Sequence, residues 1–369
     1  MKKIKITHLT SAHPRYDTRI FIKECCSLAK IDAYSVSLIV ADALGNEEKN
    51  GVSIYDVGKL KGRFNRMFKT TKKVYEKAIT LDSDIYHFHD PELIPIALKL
   101  KKLGKKVIFD IHEDVAKQIK AKTYLNSLVR QVFSFLYGVY EMKSCQSFDY
   151  LLTATPMIKR NFEKKHSNVE TILNYPIIEE LSNTTVWETR KNRICHIGSL
   201  AEARGVVQLV ESLAYAKVPL DLCGDFRPKT LENELRLLSG WAYVDFHGFI
   251  SRDEVKKILS EVKIGLVTLH PTQSYLEAIP VKMFEYMAAG IPVIASDFEI
   301  YHELLKGYDC ALFVDPLNPE AIADAITYLL FNDAIASKMG EVGRVAVVEK
   351  FNWYIQEKKL LSLYKELLR

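Results

Sequence analysis

The chain has 369 residues, 48% of them apolar and 26% charged, with 16 Gly and 12 Pro; this excludes a disordered chain, a collagen and a coiled coil. No run of about 18 uncharged apolar residues occurs, so no transmembrane helix is expected. The net charge of +5 is unevenly divided: residues 1–175 hold 30 Lys+Arg against 19 Asp+Glu and the remainder 21 against 27, which directs anionic partners to the first half.

The first strand-like run is IKITHLT (4–10), whose preceding lysines lead into no signal-peptide core. HPRYDTRIFIKE (13–24) follows, where Asp17 reads as a helix N-cap and Arg19 points from the first turn, either to a neighbouring acid or to a ligand. After SVSLIV (35–40), residues 59–77 hold eight Lys or Arg and one Glu, interleaved with Phe64, Met67, Phe68 and Tyr75. That spacing suits a basic amphipathic helix on an anionic membrane surface, or a plain solvated face. No nucleic-acid motif accompanies it, and no nucleic-acid partner is expected.

DIYHFH (84–89) puts His87 and His89 on one sheet face with Asp90 next, and KVIFDIH (106–112) ends at His112. A metal held by His87, His89 and His112 is one reading; the simpler one is that polar residues at strand ends line a cleft, and no metal or other cofactor is expected. Residues 116–142 carry Leu125, Leu128, Val132, Phe135 and Leu136 around Arg130, a face for either core or membrane. DYLLTA (149–154) is the last strand of the first half.

The pattern restarts with RICHIG (193–198), LDLCG (220–224), YVDFHG (243–248), KIGLVTL (263–269) and PVIAS (292–296). Strands alternating with helical segments predict α/β architecture: two doubly wound, Rossmann-like domains with a cleft at the carboxyl strand ends. The boundary is expected near residue 177, giving domains 1–176 and 177–350 and a final helix 351–369. The six cysteines form no CxxC pair, so neither a zinc framework nor disulfides are encoded, and reduced thiols in the cytoplasm are expected.

The densest chemistry lies in EAIPVKMFEYMAAGIPVIAS (277–296). Pro280 suits a helix start and Gly290 its end, so the free N–H groups near Val281 and Lys282 form an anion site flanked by Glu277 and Glu285. Carboxylates on both sides of a phosphate site suit a nucleotide sugar.

This E-x7-E segment resembles that of retaining GT-B glycosyltransferases, specifically the large family 4 of bacterial polysaccharide assembly. HPRYDTRIFIKE, IYHFHDPEL (85–93), VIFDIHED (107–114), HIGSLAEARG (196–205), FEYMAAGIPVIASD (284–297) and FNWYIQEKKLLSLY (351–364) occur in that family's order. The resemblance implies that Glu285 holds the ribose hydroxyls and Glu277 those of the transferred sugar. The Gly198–Ser199 loop, Val281, Arg204 and Lys282 would hold the diphosphate, His112 would serve the reacting face, and Arg19, His89 and Asp90 would lie on the acceptor side. Ser199 stands where an arginine is usual, and Lys282 is expected to replace that charge. The expected reaction moves a hexose-type unit from a nucleotide diphosphate sugar, uridine diphosphate favoured, to a glycan or lipid-linked acceptor. It retains anomeric configuration, needs no metal, and takes place in the cytoplasm or at the inner membrane face. A nucleotide-sugar 2-epimerase, a silent nucleotide- or membrane-binding subunit and a histidine metal hydrolase are the rival readings.

Overall fold

In the computed structural model, residues 3–120, 126–181 and 185–368 are described. The apolar runs form strands because helices cover both faces of each sheet, so their side chains are buried on either side. The strands are β1 (Ile4–Leu9), β2 (Tyr34–Val40), β3 (Glu47–Lys49), β4 (Val52–Asp56), β5 (Ile85–Phe88), β6 (Lys106–Ile111), β7 (Tyr150–Thr153) and β8 (Val169–Thr171). A second set comprises β9 (Ile194–Ile197), β10 (Leu220–Cys223), β11 (Val244–Gly248), β12 (Ile264–Val267), β13 (Val293–Ser296) and β14 (Ala311–Val314). The first sheet runs β3-β4-β2-β1-β5-β6-β7-β8 and the second β11-β10-β9-β12-β13-β14. Only β3, paired with β4, is antiparallel among the described strands. Each sheet is thus of the open, mostly parallel α/β kind that the alternation of strands and helices predicted.

The chain divides into two compact units, residues 1–174 with 354–369, and residues 175–353. In each, strand order reverses once: between β1 and β5 in the first unit, and between β9 and β12 in the second. Carboxyl strand ends at such a switch leave a crevice between diverging connections, which is where open α/β sheets bind ligands.

Six helical segments position the polar groups of interest: α1 (18–29), α2 (63–81), α3 (Ser127–Cys145), α4 (Val206–Ala216), α5 (Val281–Ala288) and α6 (Trp353–Leu367). Asp17 caps α1, its side chain accepting from the N–H groups of Arg19 and Ile20. Among the described residues no helix is long and apolar enough to cross a membrane. Helix α2 exposes Phe64 and Phe68, and α3 exposes Leu128, Val132, Phe135 and Leu136. The latter face is therefore not core; residues 121–125 of the same stretch, with Leu125, lie outside the described residues.

Candidate functional site

In the second unit the polar groups gather where β9 ends. Gly198 follows at φ 132°, and a Cβ there would stand 3.7 Å from Lys282 Nζ, so the lysine's ammonium lies over this loop. Lys282 comes from the first turn of α5 and is buried; its Nζ lies 3.2 Å from His196 Nε2 on β9 and donates to it. Burial, and then the charge of Arg204, bring the Lys282 ammonium down to about 7. The same burial and the two cations hold His196 well below the usual imidazole range, so it accepts as a neutral ring.

Arg204 ends the short turn Glu202–Arg204, its guanidinium 5.7 Å from the centre of the Tyr275 ring. Gly205 follows in the left-handed region, at φ 75°, with Thr268 O only 1.8 Å from where a Cβ would be. The left-handed residue interrupts the helical run, so α4 starts at Val206 and Arg204 sits on the turn before it. Pro280 is likewise the residue before α5, which opens at Val281. The N–H groups of Val281 and Lys282 have no intrahelical acceptor, whereas Met283 N–H already donates to Pro280 O at 3.1 Å. The fold thus brings Gly198, Ser199, Arg204, Val281 and Lys282 to the β9/β12 switch. Glu285, one turn into α5, accepts a 2.7 Å hydrogen bond from Arg252 Nη1, while Arg252 Nη2 reaches Glu180 at 3.0 Å. Glu277 is half-buried in the loop leading to α5. His196 and Arg252 escaped the sequence reading. His196 lies inside an apolar strand run, and Arg252 sits 33 residues from its partner Glu285.

In the first unit, a cavity of about 330 Å³ at the ends of β5 and β6 is lined in part by His13, Arg66, His89, Asp90 and His112. His112 is partly exposed there, with Nε2 2.7 Å from Asp110 Oδ2. Asp90 is buried and anchors the loop after β1: its Oδ2 accepts from Thr10 Oγ1, Ser11 N and Ala12 N, and its Oδ1 faces His13 Nδ1 at 3.0 Å. Burial alone would raise its pKa, but His13 and these donors hold it well below the carboxylate range.

Arg19 requires a correction. It is buried, with Nε and Nη2 on the two oxygens of Asp110 at 2.8 and 2.7 Å and Nη1 on Ile172 O at 2.7 Å. All three of its nitrogens are engaged inside the unit, so of the two alternatives it takes the acid rather than a ligand on the acceptor side. His89 is also buried, Nδ1 3.2 Å from Asp110 Oδ2 and Nε2 3.0 Å from His8 Nδ1. Burial brings its pKa down to about 3. The trio His87, His89 and His112 does not converge on one point: His112 stands on the Asp110 side of His89, and His87 on the other, facing Glu24.

Residues 177–345 match the family described as glycosyl transferases group 1. That match lies within the second unit. Among curated relatives, a glycosyltransferase of Methanocaldococcus jannaschii is 24% identical over 69% of this chain and 65% of its own length. The amylovoran biosynthesis glycosyltransferase AmsK of Erwinia amylovora is 27% identical over 32% of this chain and 30% of its own. The chain thus covers less than two thirds of the length of these relatives. Among solved structures, sucrose-phosphate synthase from Thermosynechococcus elongatus superposes with a TM-score of 0.78 at 16% identity, covering 99% of both chains. Anabaena HepE, in complex with UDP and glucose, does so with a TM-score of 0.74 at 13% identity, over 98% of this chain and 100% of the other.

Proposed function

We propose that the protein is a retaining glycosyltransferase of family 4 that moves a hexose-type unit from a uridine diphosphate sugar to a glycan or lipid-linked glycan acceptor in cell-surface polysaccharide synthesis. One observation carries the reading: Lys282, the Gly198–Ser199 loop, Arg204 and the first turn of α5 share the β9/β12 switch point. As the glycosidic bond breaks, negative charge grows on the leaving diphosphate. Two fixed cations and unpaired helix N–H groups stabilise that charge more than they stabilise the donor, which lowers the barrier. Glu285, steadied by Arg252, takes the ribose hydroxyls, and Glu277 the hydroxyls of the transferred sugar. His112, held by Asp110, serves the reacting face. No side chain acts as a covalent nucleophile; the leaving phosphate helps deprotonate the incoming hydroxyl.

Ligand-bearing relatives support the donor class, since HepE is described with UDP and glucose. The amylovoran glycosyltransferase supports the polysaccharide context. The basic helix α2 with exposed Phe64 and Phe68, and the apolar face of α3, suit an anionic membrane surface near a lipid-linked acceptor. The deciding experiment is calorimetry with UDP, GDP and ADP and their hexose conjugates, followed by NMR of the product formed without added divalent ion. A uridine preference and a retained anomeric configuration are expected. Interconversion of sugar nucleotides without an acceptor would replace the transferase with an epimerase.

A further inference from the structure

A second constellation lies inside the first unit. Registered strands β1 and β5 set His8 opposite His87, with His89 two residues further on the same face. Helix α1 lays Glu24 over that face. All four side chains are fully buried, and one nitrogen or oxygen from each lies within 4.8 Å of all the others. His8 Nδ1 is 3.0 Å from His89 Nε2. Glu24 Oε2 is 3.9 Å from His8 Nδ1, 3.9 Å from His87 Nε2 and 4.0 Å from His89 Nε2.

We propose that His8, Glu24, His87 and His89 form a structural binding site for one divalent transition ion of the zinc class, with Asp110 shared between its His89 and the neighbouring His112. Tetrahedral zinc with bonds of about 2.0–2.1 Å places neighbouring donors about 3.3–3.4 Å apart, and the observed separations bracket that value. Glu24 Oε2 and His87 Nε2 have no hydrogen-bond partner among the described residues. Buried polar atoms of this kind are costly unless something satisfies them, and here they face the same point.

The surroundings match an outer shell. Asp110 Oδ2 lies 3.2 Å from His89 Nδ1, a carboxylate that fixes the ring with Nε2 bare. Tyr364 OH on α6 lies 2.8 Å from His87 Nδ1 and 3.4 Å from His8 Nε2, so both rings can turn their other nitrogens inward as bare donors. Charge points the same way. Glu24 and Asp110 share a single guanidinium, that of Arg19, whose Nε is 3.2 Å from Glu24 Oε1 and already donates to Asp110. A divalent cation would balance the second carboxylate, whereas without one burial beside Asp110 pushes the Glu24 carboxyl well above its usual range. The ion's role is to tie β1, α1 and β5 together and, through Tyr364, to fix α6.

The test is elemental analysis of the full chain, purified without a histidine tag. About one zinc-class ion per chain is expected, surviving EDTA dialysis of the folded protein and released by guanidinium. Glu24→Gln and His87→Gln are expected to lose most of it, whereas His166→Gln and His302→Gln, outside the cluster, retain it. Tyr364→Phe is expected to weaken retention about 10- to 100-fold. Should the cluster variants fail to fold, X-ray absorption on the wild-type chain decides, with three imidazoles and one carboxylate oxygen expected around the ion. Sulfur ligands, full metal content in folded Glu24→Gln and His87→Gln, or a metal-free chain whose melting is unmoved by ZnCl2 or CoCl2 would each overturn the site. In the last case the cluster is a neutral network with Glu24 protonated.

Discussion

Lys282 combines two demands that pull against each other. Burial favours the neutral amine, whereas a bound diphosphate favours the ammonium. With its ligand-free pKa brought down to about 7, the side chain is largely neutral at pH 8. Binding of UDP at that pH is therefore expected to take up a proton, as the phosphates raise the folded protein's pKa. Calorimetry at pH 8 in buffers of different ionisation enthalpy measures the uptake. A slope that is zero, or unchanged in Lys282→Met, would contradict the assignment. The same substitution keeps the stem and removes the charge, so transfer should slow by about 10²-fold, comparable to removing one transition-state donor. Glu285→Ala is expected to weaken bare UDP, while Glu277→Gln weakens only the sugar-dependent part, a difference read from paired titrations with UDP and the sugar nucleotide. Equal losses for both ligands in Glu277→Gln would refute that division.

At the level of elements, the loop before α4 is set by Gly205. Its positive φ and the carbonyl of Thr268, 1.8 Å from a built Cβ, make any side chain there strained twice over. Gly205→Ala is expected to cost at least about 1–2 kcal/mol for the left-handed backbone alone, visible as a lower melting temperature. UDP binding should weaken as well, because Arg204 shifts with the loop. An unchanged melting curve would mean that the loop yields freely. The sequence made the parallel strands legible because burial on both faces leaves continuous apolar runs such as KIGLVTL. It hid β3, β4, β8 and β14: β3 (EEK) and β8 (VET) are three residues long, and β14 is only partly buried. The residues crossing the fold were also hidden. Arg19 meets Asp110 over 91 positions and His8 meets His89 over 81, and such pairings leave no local period to read. Gly198, Lys282 and Arg204 were readable because a strand, a tight turn and a helix start fix them within short segments.

Across the whole molecule, charge and connectivity separate the units. The basic α2 and apolar α3 faces both belong to the first. Sedimentation with anionic vesicles is expected to show binding that fades with salt, each basic residue near the surface contributing about 1 kcal/mol. The triple change of Lys69, Lys72 and Lys73 to Glu should abolish it, and undiminished binding would remove α2 from the surface. Deleting residues 354–369 removes the buried Leu360, Leu363 and Tyr364 from the first unit. Limited proteolysis should then cut residues 3–174 quickly while 175–353 resists. The same connectivity governs birth on the ribosome. The stretch 175–353 must be translated before 354–369 emerges, which at about 5–20 residues per second takes about 10–40 s. For that interval the nascent first unit lacks its closing helix, so its apolar seat for Leu360 and Leu363 is open to chaperones, and the later-made unit is free to finish folding first.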